Sequence, residues 1–329
     1  FDPSAALGQL ERAGEILAPG FADRLARRTE DGSWEFRSGK RARHGAGLPE
    51  RGWIAAFDCD SSGALATIYR SVPVSEEAAL ATLGASAETV LRCEWKDLRL
   101  RAFERVMSGA FALKERQLAA LPPDAVAAAV RGRIAAEGTG WLPWGDSSRS
   151  LLARARYAAR MGRLAGAPPV LLPEEKLATM LEAALPPYIP SSGQGIGEEE
   201  LCSCLRDLLA LELGPGAAAA LDREAPAAIL TPGGRRRAPC YPEQGEARLS
   251  MRIQEAFGMT ESPLICGVPL VLELLSPADR PLQLTKDLAS FWRTAYPELR
   301  RELSRRYPRP HWPEDPLSAA PGKGLKPRA

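Results

Sequence analysis

The side chains in this sequence that could do chemistry are few and poorly spaced for catalysis. Its two histidines, His44 and His311, lie in separate basic, loop-like stretches, so neither a paired-histidine metal site nor a multi-histidine catalytic centre can form. The six cysteines are Cys59, Cys93, Cys202, Cys204, Cys240 and Cys266, and the closest pair has C-x-C spacing. Without a C-x-x-C pair, zinc-ribbon and thioredoxin chemistry has no support. Six cysteines over 329 residues are also too sparse for a disulfide scaffold, which points to a reducing compartment. Adjacent or near-adjacent carboxylates occur at Asp58/Asp60, Glu76/Glu77, Glu174/Glu175 and Glu314/Asp315. All lie near turns or helix starts, where solvated charge or helix-start stabilisation accounts for them. The glycine-rich stretch 193–197 precedes a helix but follows Pro-Ser-Ser, and three glutamates after it would repel phosphate, so it reads as a linker. The stretch 321–324 (P-G-K-G) lacks the spacing and hydroxyl of a Walker A loop, and no G-x-S-x-G elbow exists. No catalytic residue, metal site or cofactor is expected in this chain.

What remains is arginine. Of 43 basic residues only 7 are lysine. On the β-like stretch 98–105, period-two alternation puts Arg99, Arg101, Phe103 and Arg105 on one face and Leu98, Leu100 and Ala102 on the other. On a C-terminal helix, Arg300, Arg301, Arg305 and Arg306 precede Tyr307, Arg309, His311 and Trp312. Cations that track phosphates beside a ring that stacks a base are how single strands are commonly gripped; an ordinary solvated face is the plain alternative for each. Arg149, Arg156, Arg160 and Arg163 share one face of a third element, a helix after Asp146. Arg235, Arg236 and Arg237 sit at an expected hairpin turn. Trp141 and Trp144 read as hydrophobic connectors. The formal net charge of +2 hides an asymmetry: residues 286–329 carry ten Lys/Arg against five Asp/Glu, so the basic end is the C-terminal one.

The elements that must position these residues imply an α+β multidomain chain: a small OB-like β-barrel, a helical segment and a C-terminal mixed α/β domain. Its length suggests two or three domains, and 45% apolar and 26% charged residues are ordinary for a globular protein. Residues 1–28 read as a helical lead-in ending in basic residues. Five or six short β-like runs between 33 and 120, several of them separated by turn signals, suggest a small β-barrel or sandwich. Residues 121–224 read as helical: Val126, Val130 and Ile134 recur at i, i+4, i+8, Asp146 is placed to cap the next helix, and 198–213 is a strong amphipathic helix. Residues 225–315 mix hairpins with helices, 251–257 reading as a short helix, and 316–329 is a Pro/Gly/Lys-rich tail. No run approaches a membrane span, and no secretory leader pattern is visible. The first residue is Phe1, and the chain is expected to be part of a longer protein.

Residues 251–263 (M-R-I-Q-E-A-F-G-M-T-E-S-P), 274–278, 280–285, 287–292 and 296–300, with R-Y-P at 306–308 and H-W-P-E-D-P at 311–316, resemble the C-terminal domain of the HrpB family, bacterial ATP-dependent helicases of the DEAH/RHA group. Weaker echoes occur at 21–28, 142–144 and 151–154. The resemblance implies motor domains in cis that bind ATP and Mg; the motor motifs are absent from this chain, so the activity cannot be carried onto its residues. It implies a cytoplasmic, monomeric helicase with a non-specific single-stranded RNA or DNA partner and no membrane contact. A protein-interaction or motor-bracing module is the alternative.

Overall fold

The computed structural model describes residues 12–44, 52–60, 65–191 and 194–319. The architecture is α+β and multidomain, in two compact units: Phe1–Ala129 with Ser191–Gln194, and Val130–Pro190 with Gly195–Ala329.

In the first unit, β1 (Leu25–Arg28), β2 (Trp34–Phe36), β3 (Arg41–His44), β4 (Trp53–Asp60) and β5 (Ala66–Val74) close a barrel in the order β1-β2-β3-β5-β4. β3 and β5 run parallel, and β1 closes antiparallel on β4. Inside lie Ala26, Trp34, Phe36, Ala42, Ile54, Ala56, Ala66 and Ile68. The run Trp53-Ile54-Ala55-Ala56 is apolar on both faces because its alternate residues bury outside the barrel as well. There Trp53 and Ala55 meet Ala79 and Leu83 of α1 (Glu76–Gly84), which Ser75 caps by accepting from the Ala78 amide.

The barrel therefore begins earlier and ends sooner than the sequence pattern suggested. Residues 25–28, read as the basic end of a helix, form its first strand. Their guanidinium groups lie over rings, Arg27 over Phe111 and Trp53 and Arg28 over Trp34, which holds a basic pair against an apolar wall. The later strands, β6 (Glu88–Lys96), β7 (Arg99–Ser108) and β8 (Phe111–Gln117), form a separate antiparallel sheet in sequence order. The helix α2 (Pro123–Glu137) crosses the division between the units, and Val126, Val130 and Ile134 are buried as its spacing predicts.

In the second unit, α3 (Asp146–Arg160), α4 (Glu174–Ala184), α5 (Glu198–Leu213) and α6 (Ala217–Glu224) form the helical part. Leu201, Leu205, Leu208 and Leu209 make the buried stripe of α5. The N-terminus of α3 is capped from a distance rather than by Asp146. The Glu198 carboxylate accepts from the Ser148 amide at 2.9 Å and from its hydroxyl at 3.1 Å, and the Ser148 amide above all holds that carboxyl below its ordinary value. The remainder contains the short hairpin β9 (Ile229–Leu230)–β10 (Arg236–Arg237) and a sheet ordered β11-β14-β15. In that sheet β11 (Arg248–Arg252) runs parallel to β14 (Val271–Leu275), which pairs antiparallel with β15 (Pro281–Thr285). A second short pair, β12 (Leu264–Ile265) with β13 (Val268–Pro269), precedes it. Residues 248–252 are thus a strand where a helix was expected for 251–257; only 253–255 make a 3-10 turn. α7 (Leu288–Thr294) and α8 (Tyr296–Arg306) follow.

Candidate nucleic-acid interface

Strand β7 alternates as expected: Leu100 and Ala102 are buried, while Arg99 is exposed and Arg101, Phe103 and Arg105 are half-buried on the opposite face. This face lies on the three-stranded sheet, however, and not on the barrel. Across it, β6 places Lys96 opposite Arg99, Glu94 opposite Arg101 and Arg92 opposite Phe103, and β8 places Glu115 opposite Arg105. The four arginines are not equivalent. Arg105 is consumed by the sheet: it bonds Glu115 and, at 3.1 Å, Glu94, and lies 5.9 Å from the Phe103 ring. Arg92 shares Glu94 at 3.2 Å. Arg99 and Arg101 have no ion pair among the described residues, so the cations left to the open face cluster at the β6–β7 turn with Lys96.

On α8 the division is similar. Arg300 donates to the Trp312 carbonyl at 3.1 Å and to Glu314 at 2.9 Å, which ties the family's H-W-P-E-D-P ending to the helix. Arg301, Arg305 and Arg306 are exposed and form no ion pair with a carboxylate among the described residues. Arg305 donates to the Arg301 carbonyl, and Arg306 lies 5.8 Å from the Tyr307 ring.

The barrel exterior offers a third cationic surface that the sequence reading missed. On β3, Arg41 and Arg43 point away from buried Ala42. Arg43 is paired in register with Thr67, and Tyr69, two residues along β5, is 59% exposed. Arg41 pairs with Asp31 at 2.9 Å, and the hydroxyls of Thr29 and then Ser33 hold that carboxyl far below its usual range. Around this turn is a shallow hollow of about 520 Å³ lined by Arg27, Arg28, Thr29, Glu30, Asp31 and Arg41. The signal was the alternation R-A-R at 41–43 following W-E-F at 34–36, too short to stand out beside the longer run of β7.

The remaining arginines and aromatics of the family motif brace the second unit. Arg235 and Arg237 converge on Glu255, which is 3% exposed, with three bonds of 2.6–3.1 Å. Two arginines of the basic hairpin turn thus clamp a buried carboxylate. Arg252 holds Asp279 through two bonds of 2.7 and 2.8 Å. Phe257, Phe291, Trp292 and Tyr296 form a ring cluster, and the indole of Trp292 donates to the Met259 carbonyl at 2.9 Å. Among the described residues no group of three or more His, Cys, Asp and Glu could hold a metal ion. His44 sits 3.2 Å from the Ser71 hydroxyl, and burial pushes the thiols of Cys204 up to about 12 and Cys266 up to about 11, where they are protonated and unreactive. No described helix is long and apolar enough to cross a membrane.

Residues 191–316 match the family described as ATP-dependent helicase C-terminal. Over 330 aligned residues the chain is 34% identical to the ATP-dependent RNA helicase HrpB of Escherichia coli K12, covering 94% of this chain and 39% of that protein. A crystal structure of the E. coli DExH-box NTPase HrpB aligns over 97% of this chain and 39% of its own, with 33% identity and a TM-score of 0.54. A second crystal structure, of the E. coli DEAH/RHA helicase HrpB, aligns over 90% of this chain and 38% of its own, with 30% identity and a TM-score of 0.47. Residues 191–316 thus carry the C-terminal domain of this family of ATP-dependent helicases, and the chain as a whole is similar to HrpB helicases while spanning about two fifths of the relatives it matches.

Proposed function

We propose that this chain holds single-stranded nucleic acid, without sequence preference, for an ATP-dependent helicase motor carried in cis. The observation that carries the reading is the set of exposed or half-buried cations without carboxylate partners among the described residues: Arg99 and half-buried Arg101 on β7, Arg301, Arg305 and Arg306 on α8, and Arg43 on the barrel strand that pairs with the strand of Tyr69. The barrel supports it further. Its strand order, with β3 parallel to β5, is that of an OB-type barrel, a fold whose β2–β3 face and β1–β2 loop take oligonucleotides. Arg105 and Arg300 act as braces in this reading. ATP and Mg belong to the motor, RNA follows from the relative's name, and a cytoplasmic monomer fits a helicase of this kind.

Phosphate contacts make such binding salt-dependent, with a slope near −0.7 per contact for single strands. Fluorescence anisotropy with labelled single-stranded oligonucleotides at increasing salt tests it. Steep loss of affinity supports the proposal, and the absence of salt-sensitive binding overturns it. The motor-bracing alternative predicts binding unchanged when Arg99 and Arg101 become alanine.

A further inference from the structure

One concavity lies wholly within the second unit. It is a cleft of about 800 Å³, in the size range of ligand sites, and its floor is helix α3. Arg149, Ala153, Arg156 and Arg160 follow one helical stripe along that floor. The eleven residue steps from Arg149 to Arg160 rise about 16 Å, long enough for a run of chain rather than a compact molecule. Arg156 is used internally, donating to the Leu172 carbonyl and to Glu174. Arg149 is exposed and makes no ion pair among the described residues. Arg160 lies 5.0 Å from the Tyr157 ring and bonds only a carbonyl, that of Gly245, so it keeps its full charge. At the Arg149 end the half-buried Trp144 also lines the cleft, its indole fixed by donation to the Thr139 carbonyl at 3.0 Å. The remaining charges on the lining are Glu175 and Glu243, both exposed and without an ion pair among the described residues.

Two separated cations, a fixed aromatic and two free carboxylates make a mixed-charge site. A ligand of pure negative charge would be repelled by Glu175 and Glu243, whereas a nucleotide strand uses all of these groups. Its phosphates take the guanidinium groups, a base stacks on the indole, and an exocyclic amine on that base donates to a carboxylate. Uracil has no exocyclic amine and offers a carboxylate only its ring N3–H. We propose that this cleft is a base-selective subsite for single-stranded nucleic acid, favouring bases that carry an exocyclic amine over uracil. It rests on the strand-holding function proposed above and departs from it at this one contact, where a base preference is added to holding that is sequence-neutral elsewhere.

The test is anisotropy of the full chain with labelled 12-mers of oligo(C), oligo(A) and oligo(U), together with photocrosslinking of a 5-bromocytidine 12-mer mapped by mass spectrometry. Trp144→Ala, and the pair Arg149→Ala with Arg160→Ala, should each weaken oligo(C) binding by about tenfold. Glu175→Ala with Glu243→Ala should erase the preference of oligo(C) over oligo(U); the ratio cancels any general gain from removing negative charge. Crosslinks should map to Trp144. If crosslinks fall only in the first unit, and the cleft variants bind oligo(C) as tightly as the parent while Arg99→Ala/Arg101→Ala loses affinity, this inference fails and the strand-holding function stands. If free CMP competes as well as the strand does, the cleft is a nucleotide site and the strand contact is overturned. If no oligonucleotide binds the parent, both readings fail.

Discussion

The β6–β7–β8 sheet and the C-terminal α+β part carry arginine at similar density, yet they use it differently. On the sheet, Arg99 and Arg101 have no carboxylate opposite that claims them, because Glu94 is already engaged by Arg92 and Arg105. In the C-terminal part Arg235, Arg237, Arg252 and Arg300 are each bound to a carboxylate, and Glu255 is buried. A guanidinium bonded to a buried acid contributes packing and order; one left in water contributes field. The same contrast divides α8, where Arg300 is bound to Glu314 while Arg301, Arg305 and Arg306 are exposed and have no ion pair among the described residues.

The sharpest way to break this contrast is to remove the acid from the clamp. Glu255→Ala leaves two converging arginines without a partner and opens a hole beside β11. Because both arginines are partly exposed, the expected loss is about 2 kcal/mol, below the range of about 3–5 kcal/mol for breaking a fully buried pair. Urea denaturation of the second unit measures it, and a change within about 0.5 kcal/mol would put the clamp in the same class as surface pairs. Arg99→Ala with Arg101→Ala should do the reverse. Stability should stay within about 0.5 kcal/mol, while the log–log salt slope of oligonucleotide binding falls by about 1.4, the share of two phosphate contacts. An intermediate case is Trp292→Phe, which keeps a ring in the cluster and removes the indole bond to Met259. It should cost about 1 kcal/mol by the same denaturation experiment, leaving binding unchanged.

How much of this was legible in the sequence follows from the range of the interactions. Elements whose signal is local were readable: α5 spans the residues its leucine spacing marks, and Val126, Val130 and Ile134 bury as an i, i+4 stripe should. Elements defined by a distant partner were not. Leu249 and Met251 alternate inward only because β14, more than twenty residues on, pairs parallel with them; read alone, 251–257 looks helical. The short β1 carries two arginines and becomes a strand because rings from β2, β4 and β8 cover them. The candidate site shows the same limit. Alternation revealed which face Arg99, Arg101 and Arg105 share, but the register that brings Glu115 and Glu94 to Arg105 appears only in the folded sheet. The barrel's Arg43 and Tyr69 lie on strands adjacent only through a parallel pairing.

The smallest effect tests whether a carboxylate that is not buried can still be structural, which would extend the contrast from arginines to acids. Glu198 caps α3 from the start of α5, and the Ser148 amide holds its carboxyl below the ordinary value of 4.5. A depressed folded value means that the unfolded chain takes up the proton first as the pH drops. The cap therefore stabilises fully above the unfolded value, and its contribution disappears as pH falls through the folded one. Glu198→Gln should lower the melting temperature slightly at pH 7, and the gap from the parent should narrow steadily below pH 4.5. Scanning calorimetry from pH 7 to pH 3 reads that gap directly. A gap that stays constant with pH would mean that the amide oxygen caps as poorly when the parent's carboxyl is neutral as when it is charged, and that the contact acts through shape rather than charge.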